Sequence, residues 1–276
     1  TSKPNPVIQT LLSESLRRAL LIQGGAVLLA LLIGAVILLI SGANPIDAYA
    51  ALLKGSFGSS TAFARTLEKA TPLLFSGLAV AFAFRGGLFN IGAQGQLLLG
   101  AIVSAVLGFA LQGLPAWLHV TLALLGGALA GALYAAVPGF LKAYSGANEV
   151  IVTIMLNYIA INLTDYLSDG PFKDTTPGNI VARTPEILDT ARIPTIGEIP
   201  IGFLVALVVA VVVWWLLWHT TIGFEIRTVG LNPHAARYAG MSVPLVVVLT
   251  MVLSGVLAGM GGAVETQGVV GRFQPG

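Results

Sequence analysis

Long stretches without a charged residue dominate this sequence. Only 9% of its 276 residues are Asp, Glu, Lys or Arg and 56% are hydrophobic, whereas about a quarter of the residues in ordinary soluble domains are charged. A chain of this kind cannot cover itself with a hydrated surface. The pattern therefore predicts an all-α fold, a polytopic bundle of transmembrane helices with room for broken or re-entrant segments.

The charge-free runs predict seven membrane spans. An unpaired peptide group is costly in lipid, so each crossing of about 30 Å needs about 20 helical residues. The longest run is too long for one helix, and residues 112–115 contain a Gly and a Pro that favour a turn there. The runs that supply the seven spans are 19–46, 70–84, 86–141, 150–164, 199–224 and 238–264.

The whole chain, residues 1–276, is predicted to form one transmembrane domain. Lys and Arg divide evenly between the two sides of the membrane, but most acidic residues fall on the side that carries the long segments 42–69 and 169–198. We therefore predict that these segments are external and that the N-terminus and the connection 219–242 are cytoplasmic. An odd number of spans predicts that further C-terminal spans follow Gly276.

The sequence contains no recognisable catalytic motif. It has no phosphate-binding loop, no Gly-x-Ser-x-Gly elbow and no His-Glu-x-x-His, and its three histidines fall on different connections. No catalytic residue and no metal ligand is predicted, so the chain is expected not to be an enzyme. The carboxylates Glu149, Asp165 and Glu265 fall near span ends, which makes coupling to an ion gradient less favoured than a passive or partner-driven mechanism.

The connection 219–242 contains the signature of a short helix. Asn232 suits the N-cap, Pro233 the first helical position and Gly240 the position after the last turn. Residues 233–239 are therefore predicted to form a two-turn helix of about 10 Å. It fits either a solvated connector or a docking helix that passes force from a soluble partner into the spans. The candidate coupling residues are Glu225, Arg227, Asn232, Pro233, His234, Ala235, Ala236, Arg237 and Gly240.

The segment 70–100 has two interpretations. Residues 70–84 cover only about 22 Å as a helix, and Arg85, four glycines and three amides follow them. One interpretation is a short span with an ordinary cytoplasmic turn. The other is a broken helix whose peptide groups and amides line a water-filled path.

A polar stripe runs along the fifth predicted span, residues 150–164. Glu149, Thr153 and Asn157 recur at every fourth residue, so they share one helical face. Hydrogen bonding between helices and lining of a path both fit this stripe. Amides and hydroxyls without a buried charge suit a neutral, hydroxyl-rich solute. The candidate path residues are Asn90, Gln94, Gln96, Asn148, Glu149, Thr153 and Asn157.

Two glycine pairs and a group of tryptophans complete the pattern. Gly127 with Gly131, and Gly255 with Gly259, have the spacing that lets helices approach closely, although 33 glycines make such pairs expected by chance. The four tryptophans lie near span ends and are interpreted as interface anchors.

Several of these motifs resemble one protein family. Ala235-Ala236-x-x-x-Gly240 resembles the Ala-Ala-x-x-x-Gly part of the cytoplasmic motif of bacterial ABC-importer permeases, with His234 where many members carry Glu. The stretches 88–96, 146–157 and 221–241 resemble permeases of the simple-sugar and nucleoside group, which is related to ribose and branched-chain amino acid permeases. The resemblance covers nearly the whole chain, and three motifs in the right order make it specific.

The resemblance implies an importer of the bacterial inner membrane. Two permeases, identical or related, would form the pathway through the lipid, two cytoplasmic ATPases would bind ATP and Mg and drive it, and an external binding protein would deliver the substrate. The chain itself would hold no cofactor and bind no nucleic acid. The expected substrate is a nucleoside, then a simple sugar. The alternatives are a stand-alone channel or secondary carrier for a small neutral solute, a branched-chain amino acid importer permease, and an intramembrane enzyme.

Overall fold

A computed structural model describes residues 14–275 of the chain, and this part is almost entirely helical. A 3-10 turn and a two-stranded antiparallel ribbon, β1 (Thr195–Ile196) and β2 (Ile199–Pro200), lie between Asp169 and Ile201. Short π-helical turns, Leu141–Ser145 and Thr266–Val270, directly follow two of the α-helices. The α-helices are α1 (Glu14–Ile40), α2 (Pro45–Phe57), α3 (Ser60–Arg85), α4 (Ala93–Ala110), α5 (Ala116–Phe140), α6 (Glu149–Asp169), α7 (Ile201–His219), α8 (Thr221–Leu231), α9 (Pro233–Tyr238) and α10 (Val243–Glu265).

Seven of the described helices are long and apolar enough to cross a membrane, which confirms the predicted fold class and number of spans. The second span differs from its prediction, because α3 begins at Ser60 rather than at residue 70. Its 26 residues cover about 39 Å, so the expectation of a short second span is wrong. The charges at Arg65, Glu68 and Lys69 belong to the helix, since charged side chains do not interrupt backbone hydrogen bonding.

The chain divides into two compact units at residue 63. In the first unit, Asn44 caps the start of α2, because its side chain accepts a hydrogen bond from the backbone N–H of Ile46. The Tyr49 hydroxyl donates to the carbonyl of Leu31 at 2.6 Å and so joins α2 to α1. None of the side chains in the span Leu21–Ile40 is buried. This is the exposure expected of a helix that faces lipid.

The core of the second unit is a close crossing of α4, α5 and α10 on glycines. A Cβ added to Gly131 would lie 2.8 Å from the Cα of Gly259 and nearer still to the carbonyl oxygen of Gly255. A Cβ on Gly127 would lie 2.7 Å from the carbonyl oxygen of Gly100, which itself packs on Gly259. The two glycine pairs, whose spacing alone could have arisen by chance, therefore contact each other. Small residues at such crossings let helix backbones approach without a hydrophobic side chain between them.

Residues 170–200 pack over one end of this unit. Their backbone N–H groups donate to the chain after α10, from Thr184 to Phe273 and from Ile193 to Gln267, and from Leu188 to Gly108 at the end of α4. His119 of α5 is fully buried and contacts the Thr190 hydroxyl at 2.8 Å and the Leu107 carbonyl at 3.1 Å. The predicted external segment is thus a folded cover, and this histidine has a structural role.

Asp174 organises the start of this cover. Hydrogen bonds from the hydroxyl and the backbone N–H of Thr176 hold the pKa of Asp174 below its usual range, and Arg183, 3.1 Å away, acts in the same direction. A carboxylate with a lowered pKa stabilises the folded state above its unfolded pKa. That contribution is lost as the pH falls through the folded value.

The glycine crossing predicts that Gly131→Ala destabilises the protein strongly, while the same change at Gly77, where a Cβ meets nothing within 4 Å, does not. Overpacking of a helix crossing costs about 1–3 kcal/mol, which corresponds to a loss of roughly 3–10 °C in Tm. Thermal unfolding of the detergent-purified protein, followed by size-exclusion chromatography, measures the difference. Equal Tm values for the two variants would contradict the crossing.

Candidate translocation segment and coupling loop

The segment between α3 and α4 is an irregular stretch held inside the unit. Helix α3 ends at Arg85 and α4 begins at Ala93. Gly87 has a φ of +72°, which an L side chain rarely adopts. Leu88 and Asn90 of this stretch are nevertheless buried. This connection between two spans, called the interrupted segment below, is therefore packed against other helices rather than exposed as a surface turn.

A pair of buried amides fixes this interruption. The side-chain nitrogen of Asn90 donates to the side-chain oxygen of Gln96 at 2.9 Å, and the side-chain nitrogen of Gln96 donates back to the side-chain oxygen of Asn90 at 3.0 Å. Asn90 also donates to the Ser254 hydroxyl at 2.8 Å, and Ser254 donates to the Ala79 carbonyl of α3. Both amides are 1% exposed. The network joins α3, α4 and α10 and leaves none of the Asn90 side-chain polar atoms unpaired.

Asn157 of α6 closes the same interruption from the other side. Its side-chain oxygen accepts from the backbone N–H of Gly95 at 2.9 Å, and its side-chain nitrogen donates to the Ile91 carbonyl at 2.9 Å. Helix α4 has Gly92 at its N-cap, which offers no side chain to the first N–H groups of the helix. Asn157 therefore supplies the missing cap from a different helix.

The remaining predicted path residues occupy three kinds of position. Thr153 is buried and donates back to its own helix, while Gln94 and Asn148 are exposed. Asn148 caps α6 through the backbone N–H groups of Val150 and Ile151. Glu149 is 8% exposed and pairs with Lys142 at 2.8 Å. The structure thus uses most of the polar stripe for hydrogen bonds between and within helices, and the lining of a solute path stays a prediction.

The connection 219–242 contains two helices, of which one was not predicted. Helix α7 ends at His219, so the span expected to reach residue 224 is shorter, and Thr220 caps a new helix, α8, through the N–H of Gly223. Helix α9 confirms the predicted short helix. Asn232 caps it through the N–H groups of His234 and Ala235, and Gly240 has a φ of +83° after its last turn.

Helix α9 presents nearly all of its surface to solvent. Of its residues only Ala236 is buried, and the predicted coupling residues Pro233, His234, Ala235 and Arg237 are exposed. Leu231, the last residue of α8, and Tyr238, the last residue of α9, are 88% and 94% exposed. Glu225 and Arg227 lie on α8 and are half-buried. The exposure of these residues leaves them accessible to a partner, and the docking role of the helix stays a prediction.

Helix α8 connects this surface to the interrupted segment through Gly230, which sequence reasoning missed. Gly230 packs on the end of α3, where an added Cβ would lie 2.8 Å from the backbone nitrogen of Gly87 and closer to the carbonyl of Arg85. Gly86 in turn packs on Thr250 of α10. No spacing in the sequence marked Gly230, since its role depends on a contact about 140 residues away along the chain. The contacts run without a break from α9 to the amide pair.

Within residues 14–275 no group of three or more His, Asp or Glu could hold a metal ion. The described part of the chain therefore presents seven spans, a connection between two of them that is fixed by a buried amide network, and an exposed capped helix. These are the features of the membrane subunit of a transporter.

Comparison with known proteins gives the family. Residues 62–273 match the family described as branched-chain amino acid transport system / permease component. The chain is 43% identical over 251 residues to the guanosine ABC transporter permease protein NupP of Bacillus subtilis, covering 88% of this chain and 70% of that protein. It is 36% identical over 257 residues to the nucleoside ABC transporter permease protein NupB of Lactococcus lactis, covering 90% and 71%. No solved structure matches.

The chain belongs to this family of ABC-transporter permeases, as the resemblance of its motifs predicted. It is a multi-pass membrane protein, and the family works with an ATPase and a substrate-binding protein. Another relative, 36% identical over 260 residues, is the glucose ABC transporter permease protein TsgB13 of Haloferax volcanii, matched over 90% of this chain and 68% of that protein.

Asn157→Ala should loosen the start of α4, because it leaves the Gly95 N–H and the Ile91 carbonyl without their partner. Each unsatisfied group costs about 1–3 kcal/mol. Hydrogen–deuterium exchange of residues 91–96 should therefore accelerate. Asn162→Ala is the matched control, since Asn162 lies on the same helix, is exposed and donates only to Tyr158 one turn away. Equal exchange in the two variants would remove the capping role of Asn157.

Proposed function

We propose that this chain is the membrane-spanning permease of an ATP-binding-cassette importer for nucleosides in the bacterial inner membrane. The observation that carries the proposal is the 43% identity to a guanosine permease over 88% of the chain. The chain performs no covalent chemistry and holds no cofactor; ATP and Mg bind to a partner ATPase. A second permease subunit, identical or related, completes the pathway, and a binding protein delivers substrate from outside.

The exposed helix α9 is the proposed contact with the ATPase. Its surface carries Arg237 for a carboxylate, the short side chain of Ala235 for close approach, and Tyr238 as an aromatic anchor. Buried aromatic and arginine side chains dominate the energy of protein interfaces. Movement of α9 and α8 would displace Gly230 against the end of α3 and so reach the interrupted segment at Asn90.

The proposed solute path follows the exposed side of α4 that carries Gln94, with Asn90, Gln96, Thr153 and Asn157 holding the interruption behind it. Irregular backbone at membrane depth is tolerated where protein or a water-filled cavity satisfies it. Polar groups without a buried cation favour a neutral solute. The orientation that follows places the N-terminus and residues 219–242 in the cytoplasm, and residues 170–200 outside.

Replacing Arg237 and His234 by Ala should leave the protein folded, because both side chains are exposed, and should uncouple uptake from ATP hydrolysis. Loss of one interface arginine costs on the order of 1–2 kcal/mol, so nucleoside uptake should fall roughly tenfold or more. Co-purification of the ATPase and uptake in proteoliposomes provide the measurements. Arg65→Ala, an exposed arginine on α3, is the control. Unchanged uptake in the double variant contradicts the assignment.

Transport by the full assembly tests the substrate class. With the ATPase, both permeases and the binding protein in proteoliposomes, labelled guanosine and uridine should accumulate only when ATP is present. Labelled glucose is the second candidate, since a glucose permease is among the relatives, and labelled leucine is the third. Accumulation of glucose or leucine without nucleosides overturns the substrate class. Uptake of any solute by the permease alone without ATP identifies a channel or carrier instead.

A further inference from the structure

An apolar groove opens on the outside of the second unit between α3, α7 and α10. Its volume is about 300 Å³, and it is lined by Phe82 of α3, by four residues of α7 (Val209, Val212, Val213 and Leu216) and by four of α10 (Leu253, Val256, Leu257 and Met260). All nine lining side chains are apolar. Val212, on the rim, is 51% exposed, so the groove is open to its surroundings rather than an enclosed void.

Two arginines lie beyond one end of this groove. The guanidinium of Arg85 is 5.6 Å from the centre of the Trp218 ring, and that of Arg227 is 4.3 Å from the same ring. Arg85 follows Phe82 by one helical turn, so its charge lies next to the apolar lining. The shared Trp218 ring brings Arg227 to the same place. In the described chain neither arginine forms an ion pair.

Two like charges on one indole ring repel each other unless an anion lies between or beside them. The Arg227 side chain donates only a long bond, 3.4 Å, to the carbonyl of Gly223. Guanidinium groups are well suited to phosphate, which they bind through paired N–H groups. Tryptophan at a helix end marks the depth of lipid headgroups.

We propose that this groove binds one anionic phospholipid, with an acyl chain between α7 and α10 and the headgroup phosphate on Arg85 and Arg227. The apolar lining matches the acyl chain of such a lipid, and the two arginines match its phosphate, which lies at the membrane surface. A soluble anion would have no use for the groove, and a purely apolar partner helix would leave the two cations unpaired. The lipid would hold α8 against the end of α3, beside the contact of Gly230 that links the coupling helices to the interrupted segment.

Native mass spectrometry of the assembled transporter tests this site. The complex is equilibrated with phosphatidylglycerol and phosphatidylcholine of identical acyl chains in equal amounts, and the retained lipids are counted. The wild-type complex should retain phosphatidylglycerol preferentially. Each arginine near a lipid surface contributes a factor of about five, so Arg85→Gln with Arg227→Gln should lower the ratio of the two retained lipids roughly tenfold or more. Arg65→Gln, the same charge change on an exposed residue at the other end of α3, should leave the ratio unchanged.

The acyl part is tested separately. Val212→Trp places a bulky side chain at the rim of the groove, where the half-exposed position tolerates it, and should reduce retention of both lipids without altering their ratio. Phosphatidylglycerol with a diazirine in its acyl chain should label residues 209–216 and 253–260 after illumination. Equal lipid ratios in the Arg85/Arg227 and Arg65 variants overturn the proposal. Labelling confined to other segments, or a groove closed to the probe by a second protein chain, overturns it as well.

Discussion

The backbone N–H groups at the start of α4 need an acceptor that their own sequence does not provide. Gly92 stands at the N-cap, and the residues around it are glycines and amides rather than a capping Ser, Thr or Asp. Asn157 of α6 fills this requirement and at the same time binds the Ile91 carbonyl. One amide side chain therefore fixes the start of α4, the end of the irregular stretch and the position of α6. In a bundle surrounded by lipid, water cannot replace such a partner.

The arrangement of the other helices follows from how closely α4, α5 and α10 approach. Glycines 100, 127, 131, 255 and 259 remove side chains from the crossing, so the backbones are in contact there. That approach brings Ser254 of α10 within reach of Asn90, and Asn90 then pairs with Gln96. The buried amide network thus depends on the glycine crossing, because an added methyl group would move α10 away from the interruption.

The proposed coupling of the ATPase surface to the membrane interior depends on contacts of the same kind. Helices α8 and α9 are short, and a side chain caps the start of each. Helix α8 contacts the end of α3 through Gly230. Only Asn232 separates α9 from α8, so a movement of α9 would be passed through α8 to the interrupted segment. The two arginines on Trp218 lie at this same junction, where a bound lipid would change how firmly α8 is held.

The sequence by itself determined the all-α class, the seven spans, the capped helix α9 and the family, because charge-free length, capping residues and ordered motifs are local properties. It did not determine that α3 begins at Ser60, that α8 exists, or that the polar stripe on α6 caps another helix. It also left the glycine pairs indistinguishable from chance. Those features rest on contacts between residues far apart in the chain, such as Asn157 with Gly95 and Gly131 with Gly255. Only the tertiary structure decides them, since a hydrogen-bond partner or a close approach is fixed by where helices cross and not by the residues beside it.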